Sequence, residues 1–180
     1  KMYSDSIYQY YLKQKNNYEI TLKAIDIYDE RWLTSTKYKL TIIKKEELLF
    51  EKNLENYEAI SLTNETKDCE VEIYNDMAYI LYLNGKSEEN IKQNLNLIIV
   101  DLKNKSVIVD KSIFNQDYGI TNLTMTLNLT NDKLLIAYSD ISKSNNKSLV
   151  YSIFNLKNLM FDSSPKSIFL FDEWEKRNPF

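Results

Sequence analysis

The tetrapeptide Lys-Ser-Ile-Phe occurs twice in this chain, as "KSIF" at residues 111–114 and again at residues 166–169, 55 positions further on. One shared tetrapeptide in a chain of 180 residues with a biased composition is what chance supplies, so the match needs support from its surroundings. With that support, the two copies would end two equivalent structural units.

Two further markers supply the support. The dipeptide Asn-Asp begins at residues 75 and 131, which are 56 positions apart. The tripeptide "LKN" begins at residues 102 and 156, which are 54 positions apart. Each marker precedes its copy of KSIF in the same order, and the spacing is nearly constant. The sequence therefore predicts an internal repeat of about 55 residues.

The hydrophobic pattern inside each copy has the period of β-strands. In "CEVEI" (69–73), apolar residues alternate with glutamates, which is typical of a strand with one buried face. The next segment, "MAYILYL" (77–83), is almost continuously apolar, as expected of a strand that is covered on both faces. Asn75 and Asp76 between them suit a tight hairpin turn, because Asn and Asp tolerate positive φ.

Each copy contains four such segments in succession. We therefore predict that residues 69–114 and 123–170 each form a four-stranded antiparallel sheet. A weaker third copy comes first, with strands predicted in the segments 6–14, 17–30, 37–45 and 47–53. The segment 6–14 also fits a helical stripe, but we favour a strand.

Four-stranded units that repeat at this spacing resemble the blades of a β-propeller. The resemblance implies an all-β chain of about three blades, with units of about 1–53, 54–114 and 115–180. No Asp-box, kelch or Trp-Asp signature is present, so the resemblance is to the architecture and not to one family. A β-sandwich without a true repeat is the alternative fold.

A propeller closes with about four to eight blades, more than this chain holds. We therefore expect further blades, or a second chain, to complete it. The opening Lys-Met-Tyr has no initiator Met in first place, which favours a segment of a longer polypeptide. Both end sheets should carry apolar outer faces, and the chain should not fold alone as a monomer.

The residue types restrict the chemistry. The chain has no histidine and only two glycines, which argues against imidazole-based catalysis, imidazole metal sites and glycine-rich phosphate loops. We predict no catalytic residues, no cofactor and no metal. A net charge of −3 gives no general attraction for nucleic acid, and no apolar run is long enough to span a bilayer.

The cysteine content and the glycosylation sequons bear on the compartment. The single cysteine, Cys69, is predicted to be a small buried apolar residue, or to pair outside this segment if the protein is secreted. Sequons for N-glycosylation slightly exceed the number expected by chance and favour a secreted or cell-surface protein, with an intracellular scaffold as the alternative. They lie at Asn64, Asn104, Asn122, Asn128 and Asn146.

Aromatic residues suggest how the chain binds a partner. Tyr79, Tyr82, Tyr138 and Tyr151 fall within predicted strands and should pack between blades. Tryptophan and arginine are frequent anchors in protein interfaces, and two such pairs lie in charged segments. We predict partner-binding residues at Trp32, Trp174, Arg31 and Arg177.

Two functions are compatible with this pattern. The favoured one is a non-catalytic, protein-binding propeller segment that acts as an interaction or adhesion scaffold. The alternative is part of a sialidase-like, glycoside-processing enzyme whose active site is completed outside this segment.

The strand pattern also gives a prediction about stability. Ile99 and Val107 are both predicted to be buried, with a cost of about 2–4 kcal/mol for truncation to Ala.

Overall fold

A computed structural model describes residues 3–15, 17–29, 32–54, 69–85, 92–117, 120–128, 132–140 and 148–170. These residues form thirteen β-strands in three antiparallel sheets. Sheet 1 contains β1 (Tyr3–Lys15), β2 (Tyr18–Asp29), β3 (Trp32–Lys44) and β4 (Glu47–Leu54). Sheet 2 contains β5 (Cys69–Tyr74), β6 (Met77–Gly85), β7 (Lys92–Asp101) and β8 (Ser106–Asp117). Sheet 3 contains β9 (Ile120–Asn128), β10 (Lys133–Asp140), β11 (Ser148–Asn155), β12 (Met160–Phe161) and β13 (Lys166–Leu170).

The all-β prediction is confirmed, and so is the strand interpretation of residues 6–14, which lie in β1. In sheets 1 and 2 the strands follow one another in chain order. In sheet 3 the fourth strand is divided, because β12 and β13 both pair with β11. The interruption includes Pro165, whose nitrogen carries no hydrogen to donate to a neighbouring strand.

Two-residue turns set the register of the hairpins. Asn75 and Asp76 both have positive φ, 48° and 56°, and they join Tyr74 to its partner Met77. Lys45 and Glu46 join β3 to β4 in the same way, with φ of 48° and 69°. Positive φ at both central residues is the geometry whose twist matches that of the flanking strands.

The repeat predicted from the sequence is present in the hydrogen bonds. The backbone N–H of Leu102 donates to the carbonyl of Asp76 at 2.8 Å, and the N–H of Leu156 donates to the carbonyl of Asp132 at 2.9 Å. The Asn-Asp and LKN markers are therefore in contact in each unit. In sheets 2 and 3, this hydrogen bond joins the first hairpin turn to the last hairpin turn.

The two copies of KSIF also occupy equivalent positions. Lys111 pairs with Leu97 in sheet 2, and Lys166 pairs with Tyr151 in sheet 3. The register shifts at the isoleucine of KSIF in both sheets. The tetrapeptide is thus the bulged fourth strand of each unit, and the match between the copies is structural.

Two hydrophobic cores hold the sheets together. The first lies between sheets 1 and 2 and contains Ile20, Leu40, Ile42, Leu54, Val71, Ile80, Ile98 and Val100. The second lies between sheets 2 and 3 and contains Leu81, Leu95, Leu97, Ile99, Met125, Leu134, Ile136 and Phe154. Sheet 2 is therefore covered on both faces. Three stacked layers differ from the two facing sheets of a β-sandwich.

Several predictions about single side chains can be compared with this packing. Cys69 is buried in the first core, as predicted. Tyr82 and Tyr138 are buried between sheets, and Tyr79 is partly buried there. Tyr151 is only half-buried and lies on the outer face of sheet 3.

The prediction for Val107 is wrong. Ile99 is buried, with 5% of its surface exposed, but Val107 is 51% exposed. Val107 pairs with the buried Val100, so it lies on the face that sheet 1 covers. Val107 lies near the start of the edge strand β8, beside a turn. The hydrophobic core between sheets 1 and 2 does not include it.

Candidate interaction surface

The outer face of sheet 3, which points away from sheet 2, carries a row of apolar side chains. Cross-strand partners on this face are Leu135 with Ile153 and Ala137 with Tyr151. Leu149 follows in β11, opposite Ser139. Leu135 is 41% exposed, although it lies on β10, a strand paired on both sides. The centre of this face is therefore apolar and open to solvent.

Sheet 2 carries the same kind of row at equivalent positions. Leu135 and Ala137 lie 56 positions after Tyr79 and Leu81, the spacing of the Asn-Asp markers. Leu149, Tyr151 and Ile153 lie 54 positions after Leu95, Leu97 and Ile99, the spacing of the LKN markers. In sheet 2 these residues pack in the second core, under sheet 3.

Substitutions between the two rows keep at least one large apolar or aromatic side chain in each pair. Leu81 opposite Leu97 becomes Ala137 opposite Tyr151, so a small residue faces a large one. Tyr79 opposite Ile99 becomes Leu135 opposite Ile153. The outer face of sheet 3 thus retains the character of a face built to be covered.

A shallow depression of about 430 Å³ lies at one end of this face. Its floor includes Leu135 and Ile153, and Lys133 and Asn128 stand at its rim. The Lys133 ammonium is paired with the Asp162 carboxylate, so this part of the rim carries little net charge. The Lys133 partnership also lowers the pKa of Asp162.

Lysines on the last strands of sheets 1 and 2 contact the following sheet. Lys52 of sheet 1 forms an ion pair with Asp110 of sheet 2. Lys111 of sheet 2 donates to the carbonyl of Leu159 in sheet 3 at 2.9 Å and lies 5.9 Å from the centre of the Phe154 ring. Lys166, the equivalent of Lys111, lies exposed beside the outer face of sheet 3.

The opposite end of the stack is different. The outer face of sheet 1 carries Glu19, Lys39, Thr41, Glu51 and Asn53 among its described residues. Lys39 and Glu51 form an ion pair at 2.9 Å on it. Apart from Ile43 and Leu48 beside the turn, the side chains on this face in the described half of sheet 1 are polar, whereas those of sheet 2 are apolar and buried. The expectation of an apolar face at both ends is therefore wrong for this half of sheet 1.

A polar cluster joins sheets 1 and 2 at the turns. The Tyr18 hydroxyl donates to Asp76 and accepts from the Lys44 ammonium at 2.9 Å. Lys44 also lies 4.3 Å from the centre of the Tyr18 ring. Burial and the hydrogen bond to Asp76 raise the pKa of Tyr18, which keeps its hydroxyl protonated. The arrangement suits a structural link between sheets better than an acid or base.

Of the four predicted partner-binding residues, the structure describes only the backbone of Trp32, so their role stays a prediction. Trp32 begins β3, where its backbone pairs with Asp29. Arg31, Trp174 and Arg177 lie outside the described residues. Among the residues with described positions, no group of three or more potential ligands is placed to hold a metal ion, and no helix is long and apolar enough to cross a membrane.

The apolar outer face of sheet 3 agrees with the prediction for the end sheets, but sequence reasoning did not name the residues that form it. Transferring the buried positions of one unit to the next by the marker spacings identifies Leu135, Tyr151 and Ile153. Comparison with known proteins adds no further assignment, since no family model, no curated protein and no solved structure matches this chain.

Proposed function

We propose that the chain is an interaction scaffold made of blade-like sheets, stacked as the blades of a β-propeller are, and that it holds a protein partner at its third sheet. The observation that carries the proposal is the apolar row around Leu135 and Ile153. Its equivalents in sheet 2 are buried by the neighbouring sheet, and an exposed apolar face of this kind is typical of a protein-binding surface.

The contacts between sheets support the propeller-like part of the proposal. The first strand of sheet 3, β9, lies against the first strand of sheet 2, β5. Close approach of first strands is the arrangement of propeller blades, in which these strands line the central axis. The outer face of sheet 1 is largely polar, whereas that of sheet 3 is apolar. A further sheet would therefore be added at sheet 3 rather than at sheet 1. No observation favours the glycoside-processing alternative.

Amine-reactive cross-linking in the source cells tests the binding function, because lysines flank the proposed surface. Lys133 and Lys166 should give cross-links to one recurrent partner protein, whereas Lys39 on the polar face of sheet 1 should not. The double variant Leu135→Glu, Ile153→Glu should lose these cross-links.

A control is Asn53→Glu, which adds one negative charge to the outer face of sheet 1, opposite Lys39, against two in the double variant. It should retain the cross-links from Lys133 and Lys166. Cross-links confined to the chain itself, or unchanged in the double variant, would contradict the proposed function.

A further inference from the structure

The outer face of sheet 3 has two features that specify more than an apolar partner. Its apolar row repeats the pattern by which sheet 2 binds sheet 3. Its lysine, Lys166, repeats the position from which Lys111 reaches the Leu159 carbonyl of the next sheet. The two features are independent, because one is a set of side chains in β10 and β11 and the other is a cation on β13.

We propose that this face binds a further four-stranded antiparallel sheet of the same repeat, which presents an apolar face to Leu135 and Ile153 and an oxygen acceptor to Lys166. The inference rests on the proposed function and names its partner. The acceptor is the backbone carbonyl of the last hairpin turn, as at Leu159, or a carboxylate, as at Asp110.

The described surfaces of a second copy of this chain fit the face less well. The inner faces of all three sheets are occupied by the two cores. The described outer face of sheet 1 is polar and holds the ion pair between Lys39 and Glu51. Among the described surfaces, a second copy would therefore offer mainly its own sheet 3, where the Leu159 carbonyl already accepts from Lys111.

The full chain extended by one unit tests the proposal. A second copy of residues 115–180 is added after residue 180, so that the added β9, β10 and β11 can meet the outer face of sheet 3. The linker from Leu170 to the added Ile120 then has 15 residues, close to the 14 residues between Leu54 of sheet 1 and Cys69 of sheet 2. The added unit also supplies a second Leu159 carbonyl for Lys166.

Leu135→Glu, made in the first copy of the unit, measures whether the face is covered. In the extended chain it should raise the unfolding equilibrium constant at least about tenfold, because it buries a charge between sheets. In the 180-residue chain the same change should have less than about a twofold effect, because the side chain stays in water. Lys166→Gln should also raise the unfolding equilibrium constant in the extended chain and leave it unchanged in the 180-residue chain. Asn53→Glu should change this constant by the same factor in both chains.

Three results would overturn the proposal. The first is an equal effect of Leu135→Glu in the two chains. The second is an extended chain whose far-ultraviolet dichroism lacks the added strand content. The third is a stable dimer of the 180-residue chain that Leu135→Glu dissociates, since the occupant would then be a second copy. Cross-linking to a different partner protein in cells would survive the first two results, so those failures are distinguishable from failure of the proposed function. The third result would overturn both proposals if the cross-links in cells also joined only copies of this chain.

Discussion

Single side chains show how far alternation along a strand determines burial. Ile99 and Val107 are both β-branched apolar residues in strands of sheet 2, but of the two only Ile99 is buried. Ile99 lies on β7, an inner strand with sheet 3 above it, whereas Val107 lies on the edge strand β8. The edge position alone does not expose a side chain, since Val109 on the same strand is buried; Val107 is exposed because it also lies near the start of β8, beside the turn.

This difference gives a stability prediction. Ile99→Ala should lower the free energy of unfolding by about 2–4 kcal/mol, through lost burial and a residual cavity. Val107→Ala should change it by less than about 0.5 kcal/mol, because half of the side chain is already in water. Urea denaturation of both variants is the measurement. Equal costs would mean that the face assigned to β8 is wrong.

The cluster of Tyr18, Lys44 and Asp76 predicts a dependence of stability on pH. The hydrogen bond from Tyr18, followed by that from Lys44, lowers the pKa of Asp76 below its ordinary value of 3.8. A carboxylate with a lowered pKa in the folded state stabilises the protein above its unfolded pKa, and this stabilisation is lost as pH falls through the folded pKa.

Asp76→Asn separates this contribution from the turn geometry, because Asn tolerates the positive φ at this position. At pH 7 the variant should be less stable than the wild type, and the two should converge as the pH falls well below 3.8. Urea denaturation at a series of pH values makes the comparison. A gap that stays constant over the whole range would show that Asp76 does not titrate with folding.

Turns and strands are the elements that the sequence predicted best. The repeat was found because Asn-Asp, LKN and KSIF occupy turns and a bulge, where backbone geometry restricts the residues. The division of the fourth strand at Pro165 was not predicted, since the copy in sheet 2 has no proline there. The polar cap of sheet 1 was missed because alternation identifies a strand's apolar side without showing which neighbour covers it.

The turn between β3 and β4 predicts a stabilising substitution. Glu46 has φ of 69°, a conformation that is unfavourable for residues with a side chain and open to glycine. Glu46→Gly should raise the free energy of unfolding by roughly 0.5–1 kcal/mol. Thermal or urea unfolding checks it.

Lys103→Gly is the matched control for that change. Lys103 lies in the turn between β7 and β8 and does not have positive φ. Glycine there should only increase the freedom of the unfolded chain, so it should lower stability. If both glycine variants were destabilised alike, the turn geometry at Glu46 would be wrong.

The whole molecule is a stack whose middle layer differs from its ends. β6 and β10 are equivalent strands, and each is paired on both sides within its own sheet. They differ in that β6 has a sheet on each face, while β10 has a sheet on one face and solvent on the other. Opening β6 to solvent therefore requires two interfaces to separate, and opening β10 requires one.

Amide hydrogen exchange of the 180-residue chain followed by mass spectrometry measures this difference. Peptides covering Met77–Gly85 of β6 should exchange at least about tenfold more slowly than peptides covering Lys133–Asp140 of β10, because sheet 2 is covered on both faces and sheet 3 on one. Equal protection of the two strands would contradict the stack of three sheets.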